Sequence, residues 1–278
     1  MAVTVCKFGG TSLANADNIK RVRDIIHSDP HRSIIVVSAP GKRNKSDVKI
    51  TDLLFQIYDL KEKGENFDAE FLKFAKRFYD IEKNFKLQTN LKELLDEFYA
   101  EVPGQNLDYM ASTGEFFMAK MMAEILGFEF VNIDKTSVIA FDKGGKVDLA
   151  MSCKNFTPFK GKKIVVPGFY GIMPDGAIKT FPRGGSDITG AVIANIANAT
   201  LYENWTDVDG VYDKDPNKYP DAKKFDRISY DQVEALARKG ANVLHPDCIA
   251  YVREKSIPIN LKNTFNPSNP GTLIHIDY

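Results

Sequence analysis

The run Ser33-Ile34-Ile35-Val36-Val37-Ser38 is apolar and β-branched at every position between its two serines. A strand with one face in water alternates apolar and polar residues. An unbroken run is instead the pattern of a strand covered on both faces, as in parallel sheets flanked by helices. Further runs at 4–8, 128–133, 163–166, 200–205 and 257–262 read as strands, and stretches at 15–27, 51–62, 110–126, 187–196, 230–238 and 247–254 read as helices. Their alternation predicts an α/β fold with an open, mainly parallel central sheet sandwiched by helices. One region departs from it: Phe71, Phe74, Phe78, Ile81 and Phe85 recur at spacings of three or four within 67–101. That spacing predicts a helical insertion near 60–105 whose stripe is core or subunit interface rather than a ligand site.

At 278 residues the chain has room for one large domain or two smaller ones. Lys plus Arg number 37, as do Asp plus Glu, so no net field favours nucleic acid or a membrane, and any attraction for anionic substrates must be local. Cys6, Cys153 and Cys248 are odd in number and far apart, which argues against a disulfide framework or a zinc cluster. No apolar run reaches transmembrane length and no signal-peptide pattern precedes the strand at 4–8, so a cytoplasmic location is expected.

Two glycine segments carry the chemistry. In Phe181-Pro182-Arg183-Gly184-Gly185-Ser186-Asp187-Ile188-Thr189-Gly190, a cation, two glycines and a carboxylate precede an apolar helical run. Glycines let the backbone approach an anion, Ser186 and Asp187 are suited to cap the helix, and its first N–H groups point at the same spot. Arg183 can grip a carboxylate or phosphate with two parallel hydrogen bonds. Alone, this segment also fits an ordinary capped loop-to-helix junction. The second segment, Lys7-Phe8-Gly9-Gly10-Thr11-Ser12, joins a strand to a helix but fits neither the P-loop nor the dinucleotide fingerprint, because its lysine precedes the glycines. From the strand, Lys7 can reach over the loop toward a transferring phosphoryl group.

These two segments occur in one order with Val36-Val37-Ser38-Ala39, Ser112-Thr113-Gly114-Glu115, Trp205-Thr206-Asp207-Val208-Asp209-Gly210-Val211-Tyr212 and Gly240-Ala241-Asn242-Val243-Leu244-His245-Pro246. The series, over about residues 3–275, resembles the catalytic domain of the aspartate kinases, members of the amino-acid kinase family. The resemblance implies the amino-acid kinase fold over 1–278, with an amino-acid-binding lobe over about 1–175 and a nucleotide-binding lobe over about 176–278. It implies phosphorylation of the β-carboxylate of L-aspartate by ATP, the first step toward lysine, threonine and methionine, with Mg²⁺ carried by the nucleotide and no metal site of the protein's own. A homodimer through helical faces is expected on the same ground.

Residue by residue, the resemblance assigns Lys7 to the transferring group and Asp187 to orienting Lys7. The N–H groups of Gly9, Gly10 and Gly185, with Gly184 beside them, would cradle phosphate. Glu115 would meet the substrate's ammonium and Arg183 its carboxylate, with Ser38, Thr51 and Ser186 also against the substrate. On position alone, Glu115 equally fits a first-turn glutamate complementing a helix dipole. Thr206, Asp207 and Tyr212 would surround the adenosine part, with Lys218 also against the nucleotide and Asn242 nearer the phosphates. His245, before Pro246, reads as a helix-start residue. The basic stretch 42–49 reads as a charged surface loop able to close over anions.

The pattern departs from the family at Asn217, where a basic residue is common, and at Asn242, where a lysine is. These departures motivate an alternative, a low-turnover module that binds ATP or aspartate. A sibling kinase acting on another small amino acid is a further alternative. The sequence over 266–278 stands where such kinases continue into small regulatory domains; with no ACT-type domain in these residues, no inhibition by lysine or threonine through a built-in site is expected.

Overall fold

The computed structural model describes residues 2–182, 184–214, 216, 218–238 and 244–275. β1 (Thr4–Phe8) passes through a 3₁₀ turn at Gly10–Leu13 into α1 (Ala16–His27), and the chain returns as β2 (Arg32–Val37). Four helices follow, α2 (Ile50–Glu62), α3 (Asp68–Glu82), α4 (Leu91–Glu101) and α5 (Leu107–Leu126). Then come β3 (Glu129–Phe130), α6 (Ile133–Thr136), α7 (Leu149–Phe156) and β4 (Ile164–Pro167). A hairpin of β5 (Tyr170–Ile172) and β6 (Ile178–Thr180) leads to α8 (Gly185–Ile196) and β7 (Leu201–Thr206). The remaining elements are β8 (Arg227–Ser229), α9 (Tyr230–Arg238), α10 (Asp247–Arg253), β9 (Ile259–Asn263) and β10 (Thr272–His275).

Eight strands form one sheet in the order β3-β4-β2-β1-β7-β9-β10-β8. Every neighbouring pair is parallel except β9 with β10. The mainly parallel, helix-covered sheet expected from the sequence is therefore the fold, and the apolar run is β2, one strand from the sheet's centre.

Pleating divides the core in two, because alternate side chains leave opposite faces of a strand. Val5, Ile34, Val36, Ile164 and Val166 pack on one side with Ile188 and Val192 of α8 and Ile249 of α10. Cys6, Phe8, Ile35, Val37 and Val165 pack on the other with side chains of α1, α2, α3 and α5. A buried ion pair ties the second face together. Arg32 holds Glu203 through Nε at 2.7 Å and Nη2 at 3.0 Å, and Trp205 Nε1 and Cys6 Sγ donate to the same carboxylate at 2.9 and 3.3 Å.

The insertion, helical as expected, holds α3, which ends at Glu82, and α4, which begins at Leu91 with Asn90 as its cap. Its stripe is core: Phe71, Phe74, Phe78 and Ile81 are buried, and the rings of Phe74 and Phe78 stand 5.9 and 5.3 Å from that of Phe117 on α5. The strand expected over 128–133 shrinks to two residues because Asn132 caps α6, accepting from the Lys135 N–H. Among the described residues no helix is long and apolar enough to cross a membrane.

Candidate active site

Lys7 shares a face of β1 with Val5 and sits in register between Val36 of β2 and Asn204 of β7. Its side chain therefore rises on the α8 side of the sheet, where its ammonium lies 2.6 Å from Asp187 Oδ1 in the first turn of α8. The same oxygen accepts a 2.9 Å hydrogen bond from Asn204 Nδ2, and Tyr202 Oη donates to the Asp187 backbone carbonyl at 3.1 Å. Asp187 is thus held from strand and helix together, and it holds Lys7. Asn204 was not anticipated, although a polar pair, Glu203-Asn204, inside an otherwise apolar strand is the signal that flags it.

The ends of β1, β2, β4 and β7 meet the start of α8 along one edge of the sheet. Parallel strands bring their carboxyl ends together, and that edge is the ligand side of open α/β sheets. Gly41 N donates to Gly10 O at 2.8 Å, and a Cβ on Gly41 would lie 2.5 Å from the Gly10 carbonyl carbon. Only glycine permits that contact. Gly184 is the residue before α8, with φ of 82°, and a Cβ there would also stand 2.8 Å from His245 Cδ2. Gly185 lies under Phe169 and Phe181, leaving no space for a side chain. Ser186 is buried beside Gly168, whose N–H bonds to Val37 O at 2.9 Å.

Two expectations are corrected here. Ser186 and Asp187 do not cap α8: Gly184 occupies the cap position without a side-chain bond, and both residues lie inside the first turn. Gly9 does not offer its N–H to phosphate, because that group donates to Trp205 O at 3.1 Å. Gly9 lies below the Lys7 ammonium, which stands 3.5 Å from where a Cβ would be, an ordinary contact distance.

Glu115 differs from its positional reading as well. Asn106 caps α5 and starts it at Leu107, so Glu115 lies in the third turn and cannot serve the helix's amino end. It is 5% exposed, and Oε2 has no hydrogen-bond partner. Burial pushes its carboxyl up to about 8, against the opposing effect of the Ala39 N–H. A buried carboxylate oxygen without a donor is costly unless a cation meets it. Ala39 also borders Gly10, so Glu115 adjoins the glycine loop through one residue. Thr51 is in the first turn of α2, next to Ile50, which packs against Gly114. Ser38 bonds through its N–H to Phe8 O at 3.1 Å.

The loop after Gly41 is anchored from the insertion. Arg77 of α3, 3% exposed, donates to the carbonyls of Gly41 at 2.6 Å and Val48 at 3.0 Å and pairs with Asp47 at 3.1 Å. Arg43 also binds Asp47, so this basic stretch is pinned.

On the other flank, Thr206 follows Trp205 beside Gly9, and its Oγ1 donates to Asp207 Oδ1 at 3.2 Å. Tyr212 bridges to Lys224, and Lys218 stands on an exposed turn. His245 Nδ1 accepts the Asp247 N–H at 3.3 Å, as expected of a helix-start residue. Arg183, Asn217 and Asn242 lie outside the described residues. Among the described residues no group of three or more His, Cys, Asp or Glu side chains is placed to hold a metal ion.

The arrangement is a lysine and helix start over a glycine loop, beside a buried carboxylate, and it belongs with group transfer to or from anions. A family model described as the amino acid kinase family matches residues 2–263, and the chain belongs to that family. Within it, the chain is similar to aspartate kinases. It is 33% identical over 285 residues to "Aspartokinase 3" of Bacillus subtilis, covering 97% of this chain and 63% of that protein. It superposes on the crystal structure of Clostridium acetobutylicum aspartate kinase with a TM-score of 0.93 and 40% identity, covering 100% of this chain and 63% of that one. It also superposes on E. coli aspartokinase III in complex with aspartate and ADP, with a TM-score of 0.87 and 26% identity, covering 99% of this chain and 65% of that one. The chain thus spans about 63% of the length of the first of these relatives.

Proposed function

We propose that this chain carries the activity of an aspartate kinase, transferring the γ-phosphoryl group of ATP to the β-carboxylate of L-aspartate. The observation that carries the reading is Glu115, a buried carboxylate with one oxygen lacking a donor, next to the loop over which Lys7 reaches. An α-ammonium supplies the missing donors and charge. In this reading about 1–175 hold the amino acid and about 176–278 the nucleotide, with Arg183 on the substrate carboxylate.

An ionised carboxylate needs no general base, so positioning and charge neutralisation carry the step. Lys7, held by Asp187 and Asn204, meets the charge on the moving phosphoryl group. Gly10 and the first N–H groups of α8 face the same oxygens. Mg²⁺ carried by the nucleotide would offset phosphate charge. Thr206 and Asp207, beside the glycine loop, suit the nucleoside side. A homodimer belongs to the same proposal; Phe55 and Leu72 are exposed apolar side chains on α2 and α3 that suit it.

Hydroxylamine trapping of acyl phosphate tests the reading, run with MgATP and aspartate, glutamate or N-acetylglutamate, with Lys7→Ala as control. Aspartate-dependent product absent from the variant is expected. Product with another acid alone would reassign the substrate, and none with any acid would reject the kinase.

A further inference from the structure

Helices α4, α5 and α6 and the start of β5 line a cleft of about 140 Å³. Its wall is aromatic, with Phe116, Phe117 and Tyr170, and its acidic members are Glu97, Glu101 and Asp134. Among the described residues no lysine, arginine or histidine lines it. Tyr170 is wholly buried, and its hydroxyl has no hydrogen-bond partner within normal distance. Asp134 acts on that hydroxyl electrostatically and as a hydrogen-bond acceptor at longer than normal distance. Glu97, Glu101 and Asp134 are solvent-exposed, so they form the mouth above the aromatic wall.

We infer that this cleft binds a small organic monocation, an alkylammonium of about five or six non-hydrogen atoms. Size sets the upper bound, since an apolar cavity of roughly 150 Å³ takes one benzene. Charge sets the class: three carboxylates and the faces of aromatic rings attract a cation, whereas a carboxylate on the ligand meets repulsion. An ammonium can donate to the Tyr170 hydroxyl, whose own proton is then free to turn toward Asp134. Glu115 is not among the lining residues, so the cleft adjoins but does not include the site proposed for the amino-acid substrate.

The probe is n-butylammonium, followed by saturation-transfer NMR on the whole chain, with n-butanol as a neutral match. Saturable binding in roughly the millimolar range is expected, given so few atoms. Asp134→Asn and Glu101→Gln are expected to weaken it at least about tenfold, the scale of one charged hydrogen bond. Glu115→Gln leaves it unchanged, and butanol binds at least about tenfold more weakly. Thermal unfolding without ligand checks each variant, and Glu97→Gln, at an exposed position, replaces any that does not fold. Equal binding of butanol, no saturable signal, or a signal lost in Glu115→Gln but kept in Asp134→Asn would each overturn the assignment.

Discussion

Gly41 donates its backbone N–H to the carbonyl of Gly10 at 2.8 Å, joining the loops that follow β1 and β2 without a side chain between them. A Cβ at Gly41 has no room there. Gly41→Ala is expected to cost about 1–3 kcal/mol, as overpacking does, and to lower turnover through displacement of the Gly10 loop. Urea unfolding and steady-state kinetics on one preparation check both; unchanged stability would show that the loops separate freely.

Lys7 and Asp187 act as one unit, so their losses should not add. Lys7→Ala is expected to lower kcat by about 10²–10³, the scale for one preorganised donor, with little change in KM for the amino acid. Asp187→Ala should approach the same value, and the double variant should fall little further. Asn204→Ala, which removes one bond to Asp187, should lower kcat by roughly tenfold. Kinetics that lose kcat and acid binding equally would contradict these roles.

Glu115 links stability to pH. Its folded-state pKa of about 8 lies above the reference 4.5, so the folded state holds an extra proton between these values. Stability from this group is full below the lower value and is lost as pH rises through the upper one. The ligand-free protein should therefore show a falling Tm between these limits, and Glu115→Gln should flatten that fall. An ammonium ligand prefers the ionised carboxylate, so KM for the amino acid should drop over the same range. A Tm profile identical in the two proteins would show that Glu115 titrates normally.

The Arg32–Glu203 pair is buried on the opposite face of the sheet, with side chains 12% and 6% exposed. Removing one partner leaves a charge without compensation, at a cost of about 3–5 kcal/mol. Glu203→Ala should therefore destabilise more than the double variant Arg32→Met with Glu203→Leu. Chemical denaturation of the three proteins decides this.

Most sheet strands and long helices were legible because apolar periodicity is a local property. Helix α9 matches the expected 230–238 at both ends. Starts were less legible where a cap decides them. Asn106 extended α5 by three residues and so moved Glu115 from the helix start to its middle, although an Asn before Leu107-Asp108 is a cap signal. Gly184 took the cap that Ser186 and Asp187 also suit, because a backbone at positive φ does not show in residue type alone. The bond between Asn204 and Asp187, 17 residues apart, depends on how the sheet closes and has no local signature. Nor does the clasp of Arg77 on Gly41, since a buried arginine on a helix reads as one more surface cation.

β1 lies between β2 and β7, and the register pair Cys6 and Glu203 is separated by 197 residues. During synthesis that interval lasts on the order of tens of seconds. For that time Lys7 stands on a strand with one edge open, and the nascent chain must keep that edge from pairing elsewhere. The α1 connection and β2 can close the other edge at once, so Lys7 is set in place early, while Asn204, which holds its partner Asp187, follows only when β7 arrives.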